Sequence, residues 1–245
     1  DSPNGAAAEG TMFHQMAELY YKGVSGSPNA LQIGDINWGD SITEARRVWQ
    51  AFIKAHPGRD FWGDVVACER QLPTPYPDPK PKGAPEYDEN EARILREVMG
   101  VEFSLKPDLI VKTTGESLAR LVNLQCAVAV VSGQNILIDW KTKGKADADA
   151  GLLHQQSDQF ASYMMCWNAL FPNDPVIGTL VVEPIATKEV KFRYFFVSLP
   201  DENQKLVAKT KMANGLALLK TNAALGVAHG CKSYNLWCHH HPNNG

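Results

Sequence analysis

The stretch Ile136-Leu-Ile-Asp-Trp-Lys-Thr-Lys143 leaves the fewest choices to the fold. Three β-prone apolar residues lead straight into Asp139, so the segment reads as a strand. Period-two geometry then puts Asp139 and Lys141 on one face and Trp140 on the other. An acid and a base emerging together from a strand end can bind a divalent metal and position a water beside it, which is the geometry of a hydrolytic site. The bland alternative is a solvated ion pair, worth little alone. Only the neighbouring segments can decide between the two.

A chain of 245 residues suits one large α/β domain, or one domain with an insertion, and can bury a sizeable core. Apolar residues at 44% and charged residues at 21% describe a globular, soluble chain. The formal charge of −3 provides no global basic field, so any nucleic-acid contact has to come from local clusters. Cys68, Cys126, Cys166, Cys231 and Cys238 are odd in number and scattered, which points to a reducing, cytoplasmic compartment. Apolar runs such as Ala127 to Val131 are far shorter than a bilayer span, so no membrane partner is expected.

Along the chain, Met12 to Lys22 keeps helical spacing and stops at Gly23, with His14 in the first turn beside the apolar stripe. Gly23 to Asp40 reads as loop, and Ser41 to Glu44 as a capping box for a helix reaching about Ala55. Asp64 to Leu72 reads as a strand in which Glu69 is either a rim acid or merely exposed. A Pro-laden loop then leads to an amphipathic helix, Glu86 to Met99, ended by Gly100.

Pro107 to Lys112 is the next strand. Asp108 enters it where an unpaired carboxylate would be costly, so it calls for a cation that Asp139 could share. Leu118 to Val131 reads as one long strand or as a strand plus a bend. Lys143 to Ala150 is a basic loop, followed by a helix from about Leu152 to Leu170 on which Gln155, Gln159 and Tyr163 fall four apart on one face. Val176 to Pro184 and Val190 to Leu199 form a hairpin or an adjacent pair. Pro200-Asp201 caps a last helix to about Leu225, with Lys205, Lys209 and Lys211 on its exposed side.

Four pieces stand in order: Gly10-Thr-Met-Phe-His14, Lys106-Pro-Asp108, Ile138-Asp139-Trp-Lys-Thr142 and Gln159-Phe-Ala-Ser-Tyr163. The set resembles the RecB-like branch of the PD-(D/E)xK nuclease superfamily, and Ala6 to His14 is particularly similar to phage-encoded members. Each motif is weak alone, but their order and the element type under each make the set specific. The resemblance runs from His14 to Tyr163, about three fifths of the chain.

That resemblance implies an α/β fold with a mixed central sheet of about four or five strands flanked by helices, and a site at the sheet edge where Asp108 and Asp139 emerge. It implies one nuclease domain over residues 1–245, with insertions near 23–63 and 72–85 and a cysteine-bearing tail at 226–245. It also implies that Asp108 and Asp139 hold Mg²⁺ or Mn²⁺, with the Trp140 carbonyl and His14 as further ligands, the imidazole favouring Mn²⁺. Lys141 would orient or help deprotonate the attacking water, and Gln159 and Tyr163 would steady Lys141 or the scissile phosphate.

Many relatives also carry an iron–sulfur cluster held by one early and three late cysteines. Here no cysteine precedes Cys68 and only Cys231 and Cys238 lie in the tail, so four thiolates cannot be assembled from the expected positions. Those two with His239, His240 and His241 offer zinc-ligand chemistry as the alternative.

The expected function is that of a metal-dependent DNA exonuclease in recombination or DNA-end processing, acting on single-stranded or frayed ends and working with a recombination-protein partner. If phage-encoded, it would act in the host cytoplasm. Lys143 and Lys145 are the candidate phosphate contacts, with the Lys205 to Lys211 face behind them. The rival reading is a non-catalytic nucleic-acid-binding module on the same fold. An enzyme acting on small phosphorylated metabolites would predict a glycine-rich phosphate loop, and none is found.

Overall fold

The computed structural model describes residues 5–23, 40–76, 82, 85–124 and 130–224. In chain order its elements are α1 (Gly5–Lys22), α2 (Asp40–Ala55), β1 (Asp64–Cys68), α3 (Glu89–Met99), β2 (Leu109–Lys112), α4 (Gly115–Asn123), β3 (Asn135–Trp140), α5 (Ala150–Gln155), α6 (Asp158–Leu170), β4 (Val176–Ile185), β5 (Lys191–Ser198) and α7 (Glu202–Ala224). The expected α/β class with a mixed central sheet and flanking helices is what forms: five strands in the order β1-β2-β3-β4-β5, with β3 and β4 parallel and the other neighbours antiparallel.

The strand that constrains the sequence most is thus the middle of the sheet. All six residues of β3 are buried. Its even-numbered residues, Ile136, Ile138 and Trp140, join one core with Leu109, Val111, Leu180 and Val182, against which α1 and α2 lay Phe13, Met16, Ala17, Val48, Trp49 and Phe52. Trp140 is its aromatic centre, stacked on Tyr21 at 5.6 Å and edge-on to Phe52 at 6.2 Å. The part of the predicted 23–63 insertion that is described therefore builds core: α2 and Phe61-Trp62 belong to it.

The chain divides into two compact units. The first, residues 1–70, 107–156 and 173–199, holds the sheet with α1, α2, α4 and α5. In the second, residues 71–106, 157–172 and 200–245, α6 packs on both α3 and α7 around Leu95, Met99, Phe160, Met164 and Trp167. In that unit α3 starts on an Asp88 cap that accepts the Glu91 amide at 2.9 Å and ends at Gly100, whose φ of 75° only glycine adopts without cost. The α7 start is a reciprocal cap, Asp201 and Gln204 each accepting the other's amide. Of the three lysines expected on its exposed side, Lys211 is exposed and pairs with Asp158, whereas Lys205 and Lys209 are half-buried.

Two predicted elements come out differently. The stretch read as strand from Leu118 begins instead inside α4, because Thr114 and Ser117 form a capping box: each hydroxyl accepts the other's amide, at 3.1 and 2.9 Å. Leu118, Leu121 and Leu124 then follow helical spacing onto the core. Residues 125–129 lie outside the described residues. The long helix predicted from Leu152 to Leu170 is broken at Gln156-Ser157, where Ser157 is extended, and its halves belong to different units. Gln155 therefore does not continue the face of Gln159 and Tyr163; its amide donates to the Phe196 carbonyl at 2.7 Å.

His56 ends α2 fully buried between Phe52, Phe61, Trp62, Phe192 and Tyr194. Its Nδ1 donates to the Phe52 carbonyl at 2.9 Å, leaving Nε2 to accept from the Tyr194 hydroxyl at 2.8 Å. Both nitrogens are satisfied only in the neutral ring, and burial pushes the imidazole down to about 4. The unfolded chain takes up this proton at an ordinary histidine value while the folded chain resists it. His56 thus contributes stability above pH 6.5 that is lost as pH falls toward 4, roughly 3 kcal/mol in all. Urea titrations from pH 7 to 4 should show this slope, and a His56→Gln protein should lose most of it.

Candidate metal centre

The site is built where three strands end together. Cys68 pairs with Leu109 across β1 and β2, and Leu109 with Ile138 across β2 and β3. One residue further, the same registers align Glu69, Asp108 and Asp139, and the Glu69 amide donates to the Asp108 carbonyl at 2.9 Å. Residues opposite one another across antiparallel strands share a face, so three acids converge in one row. Glu69 has a φ of 47°, a left-handed conformation that costs a non-glycine residue about 1 kcal/mol or more and turns the chain out of β1.

Pro107 explains why the ladder stops there. The β2–β3 register would bring it opposite Trp140, and a proline has no N–H to donate. The two backbone groups of Trp140 are taken by side chains instead: its amide donates to Asp108 Oδ2 at 3.0 Å, and its carbonyl accepts from His14 Nε2 at 2.9 Å. His14 reaches this point from α1 because Gly10, one turn earlier, sits against Thr142; a Cβ on Gly10 would lie 3.1 Å from Thr142 Oγ1. The Gly-Thr-x-x-His spacing is thus a close-approach point followed one turn later by the side chain that the approach delivers.

With Nε2 committed to the Trp140 carbonyl, His14 turns Nδ1 toward the acids, 3.3 Å from Asp108 Oδ2 and 3.8 Å from Glu69 Oε1. Burial alone would strip a proton from this ring. The charge of Asp108, its hydrogen bond and that of Glu69 outweigh it and lift the imidazole to about 10. Asp108 is likewise penalised by burial but held below the ordinary carboxylate range by His14, Lys141 and the Trp140 amide.

Asp139 differs. It is fully buried and neither carboxylate oxygen receives a well-directed hydrogen bond, although Oδ2 lies 2.9 Å from Lys141 Nζ as an ion pair. Burial raises it, Lys141 pulls it back and the charge of Asp108 raises it again, leaving it near 6. Burial disfavours the Lys141 ammonium, yet Asp139 and Asp108 hold it above the usual lysine value. The two side chains that the sequence places on one face do form an ion pair, with its carboxylate fully buried in a row with two further acids and its ammonium half-buried.

Ligand atoms of His14, Glu69 and Asp108 all lie within 4.8 Å of one another, a cluster that could hold a metal ion. Two carboxylates and an imidazole suit a divalent cation, and the poorly satisfied oxygens of Asp139 in the same acid row are what a further cation contact would satisfy. Glu69, which the sequence allows as a rim acid or an exposed one, is 8% exposed and a member of this cluster. The only signal for it was the same pattern as β3, an apolar run ending in an acid.

Lys143 continues the β3–β4 ladder past Lys141, its amide donating a hydrogen bond to the Pro184 carbonyl at 2.9 Å, and Lys145 is exposed in the connection to α5. Gln159 and Tyr163 lie on α6, in the second unit, joined by a 3.0 Å hydrogen bond from Gln159 Nε2 to the Tyr163 hydroxyl. Asp108 and Asp139 lie at the ends of the interior strands β2 and β3 and Glu69 follows the edge strand β1, so the acids line the edge of the sheet formed by the strand ends. Cys68 and Cys166 are free thiols pushed up by burial to about 12. Cys126, Cys231, Cys238 and the tail histidines, with the cluster and zinc expectations attached to them, fall outside the described residues.

No family model matches the chain, and no curated protein or solved structure matches it. Among the described residues no helix is long and apolar enough to cross a membrane.

Proposed function

We propose that the chain is a metal-dependent nuclease of the RecB-like PD-(D/E)xK kind, hydrolysing phosphodiester bonds of DNA in recombination or end processing. The observation that carries this reading is the corner where Glu69, Asp108 and Asp139 align across three strands, with His14 facing them and Lys141 two residues beyond Asp139 on the same face. A solvated ion pair would have no reason to be buried among acids. A divalent ion, Mg²⁺ or Mn²⁺, would be held by Asp108, Glu69 and His14 with Asp139 beside them, and would supply Lewis acidity to the phosphate and to an attacking water.

The chain's own groups divide the remaining work. Lys141, held above its ordinary value by Asp139 and Asp108, is a fixed cation at neutral pH, which favours stabilising phosphate charge over accepting a proton. Asp108 also ties the Trp140 amide, so the two acids and Lys141 keep their relative placement through the backbone of β3. His14 steadies the Trp140 carbonyl and presents Nδ1 to the acids.

The test is cleavage of end-labelled single- and double-stranded DNA with Mn²⁺, Mg²⁺ or EDTA, with Lys141→Ala beside wild type. Degradation that needs metal and falls roughly a hundredfold or more in the folded variant is expected. Wild-type protein that binds DNA but leaves it intact with every metal would instead be a binding module.

A further inference from the structure

The site face of the sheet continues past Lys141 in a way that the acid row does not use. After β3 the parallel ladder runs on: the Lys141 amide donates to Val182, the Lys143 amide to Pro184, and the Lys143 carbonyl accepts from Ala186 at 2.7 Å. Lys143 is thereby paired with Ile185, which in turn pairs with Lys191 on β5. Asp139, Lys141 and Lys143 therefore occupy one face at two-residue steps, and cross-strand pairing puts Glu183 and Arg193 level with Lys141, and Lys191 level with Lys143.

Two of these charges are spoken for. Glu183 is fully buried; its Oε2 accepts from Arg193 Nε and Nη2 at 3.1 and 2.5 Å, and its Oε1 lies 2.7 Å from His154 Nε2. Arg193 also donates to the Asp147 carbonyl at 2.5 Å, so it anchors the connection after Lys143 and is not available to a ligand. Lys143 and Lys191 differ: no described acid pairs with either ammonium group, Lys143 is half-buried and Lys191 exposed.

We propose that Lys143 and Lys191 form a track for the phosphates of one DNA strand, leading away from the metal centre across the ends of β3, β4 and β5. The inference rests on the nuclease reading for the identity of the strand. Charge complementarity argues for it, since acids that would hold cations give way along the same face to lysines without acidic partners. Spacing argues for it as well: two residues of strand advance roughly 6.5 Å, close to the separation of successive phosphates along a nucleic-acid strand. Lys143 therefore meets the phosphate next to the one beside Lys141, and Lys191, level with Lys143 and two strand spacings of about 4.8 Å across the sheet, is placed for one further along.

The test is anisotropy of a fluorescein-labelled single-stranded phosphorothioate oligonucleotide in Ca²⁺, titrated at several salt concentrations, with cleavage of unmodified DNA in Mn²⁺ measured in parallel. Lys191→Ala and Lys143→Ala should each weaken binding several-fold and reduce the slope of log affinity against log salt by about 0.7, raising KM with kcat nearly unchanged. Lys54→Ala, on the last turn of α2, should leave slope and cleavage as in wild type. Wild-type slope in both track variants overturns the track, whether or not the protein cuts. A reduced slope in a protein that cuts nothing keeps the track and removes the nuclease reading.

Discussion

Asp139→Asn protein is expected to lose metal-dependent cleavage by roughly a thousandfold or more while remaining folded without metal. The carboxylate is fully buried, its oxygens lack directed hydrogen bonds, and Asp108 repels it across the ladder. Its folded value near 6 lies above the ordinary 3.8, so the folded state binds this proton more tightly than the unfolded one. Stability from this group is therefore full below pH 3.8 and lost as pH rises through 6, at most roughly 3 kcal/mol.

Asparagine removes that cost at neutral pH but takes from Lys141 the nearer of the two carboxylates that hold it, and the two effects oppose. Melting in EDTA at pH 7.5 should accordingly shift by only a few degrees, where losing an ordinary stabilising buried ion pair would cost several kcal/mol. A folded variant that still cuts at a tenth of the wild-type rate would remove Asp139 from the chemistry.

The second large effect is on metal binding. His14 Nδ1 is the atom that faces Asp108 and Glu69, so an ion there displaces its proton. The folded imidazole stands near 10 against 6.5 unfolded. Its proton stabilises the metal-free fold fully below pH 6.5, and that contribution is lost as pH rises through 10. Below that value each ion displaces a whole proton from the ring, so apparent Mn²⁺ affinity should rise about tenfold per pH unit. Calorimetry in two buffers of different ionisation heat should show about one proton released per ion near pH 7.5. His14→Gln should release none and flatten the pH dependence, and wild-type binding without proton release would contradict this placement of His14.

Local pattern sufficed for the parts of this protein that are local in origin. The alternation through Asp139-Trp-Lys141 specifies which side chain faces which way in any sheet, and β3 obeys it, with Trp140 in the aromatic core and the ion pair on the other face. Helix α1 and its stop at Gly23, the Gly100 end of α3 and the β4–β5 hairpin follow from spacing and turn chemistry of the same kind. Such signals are short-ranged, and so are their limits: the apolar run from Leu118 fits a strand as well as a helix and the α4 cap pairs Thr114 with Ser117 where an acid is the commoner partner, and the break at Ser157 has neither glycine nor proline to mark it.

What the tertiary structure alone decided is pairing. Glu69 lies 70 residues from Asp139 in sequence, and only the two antiparallel registers set it in line with Asp108 and Asp139. The same holds for Pro107, whose missing N–H matters only because the register carries it opposite Trp140, and for Lys191, which no linear spacing connects to Lys143. Hydrogen-bond register is a property of two segments at once: a one-residue slip would send each of these side chains to the opposite face, and no single segment contains the information that forbids it.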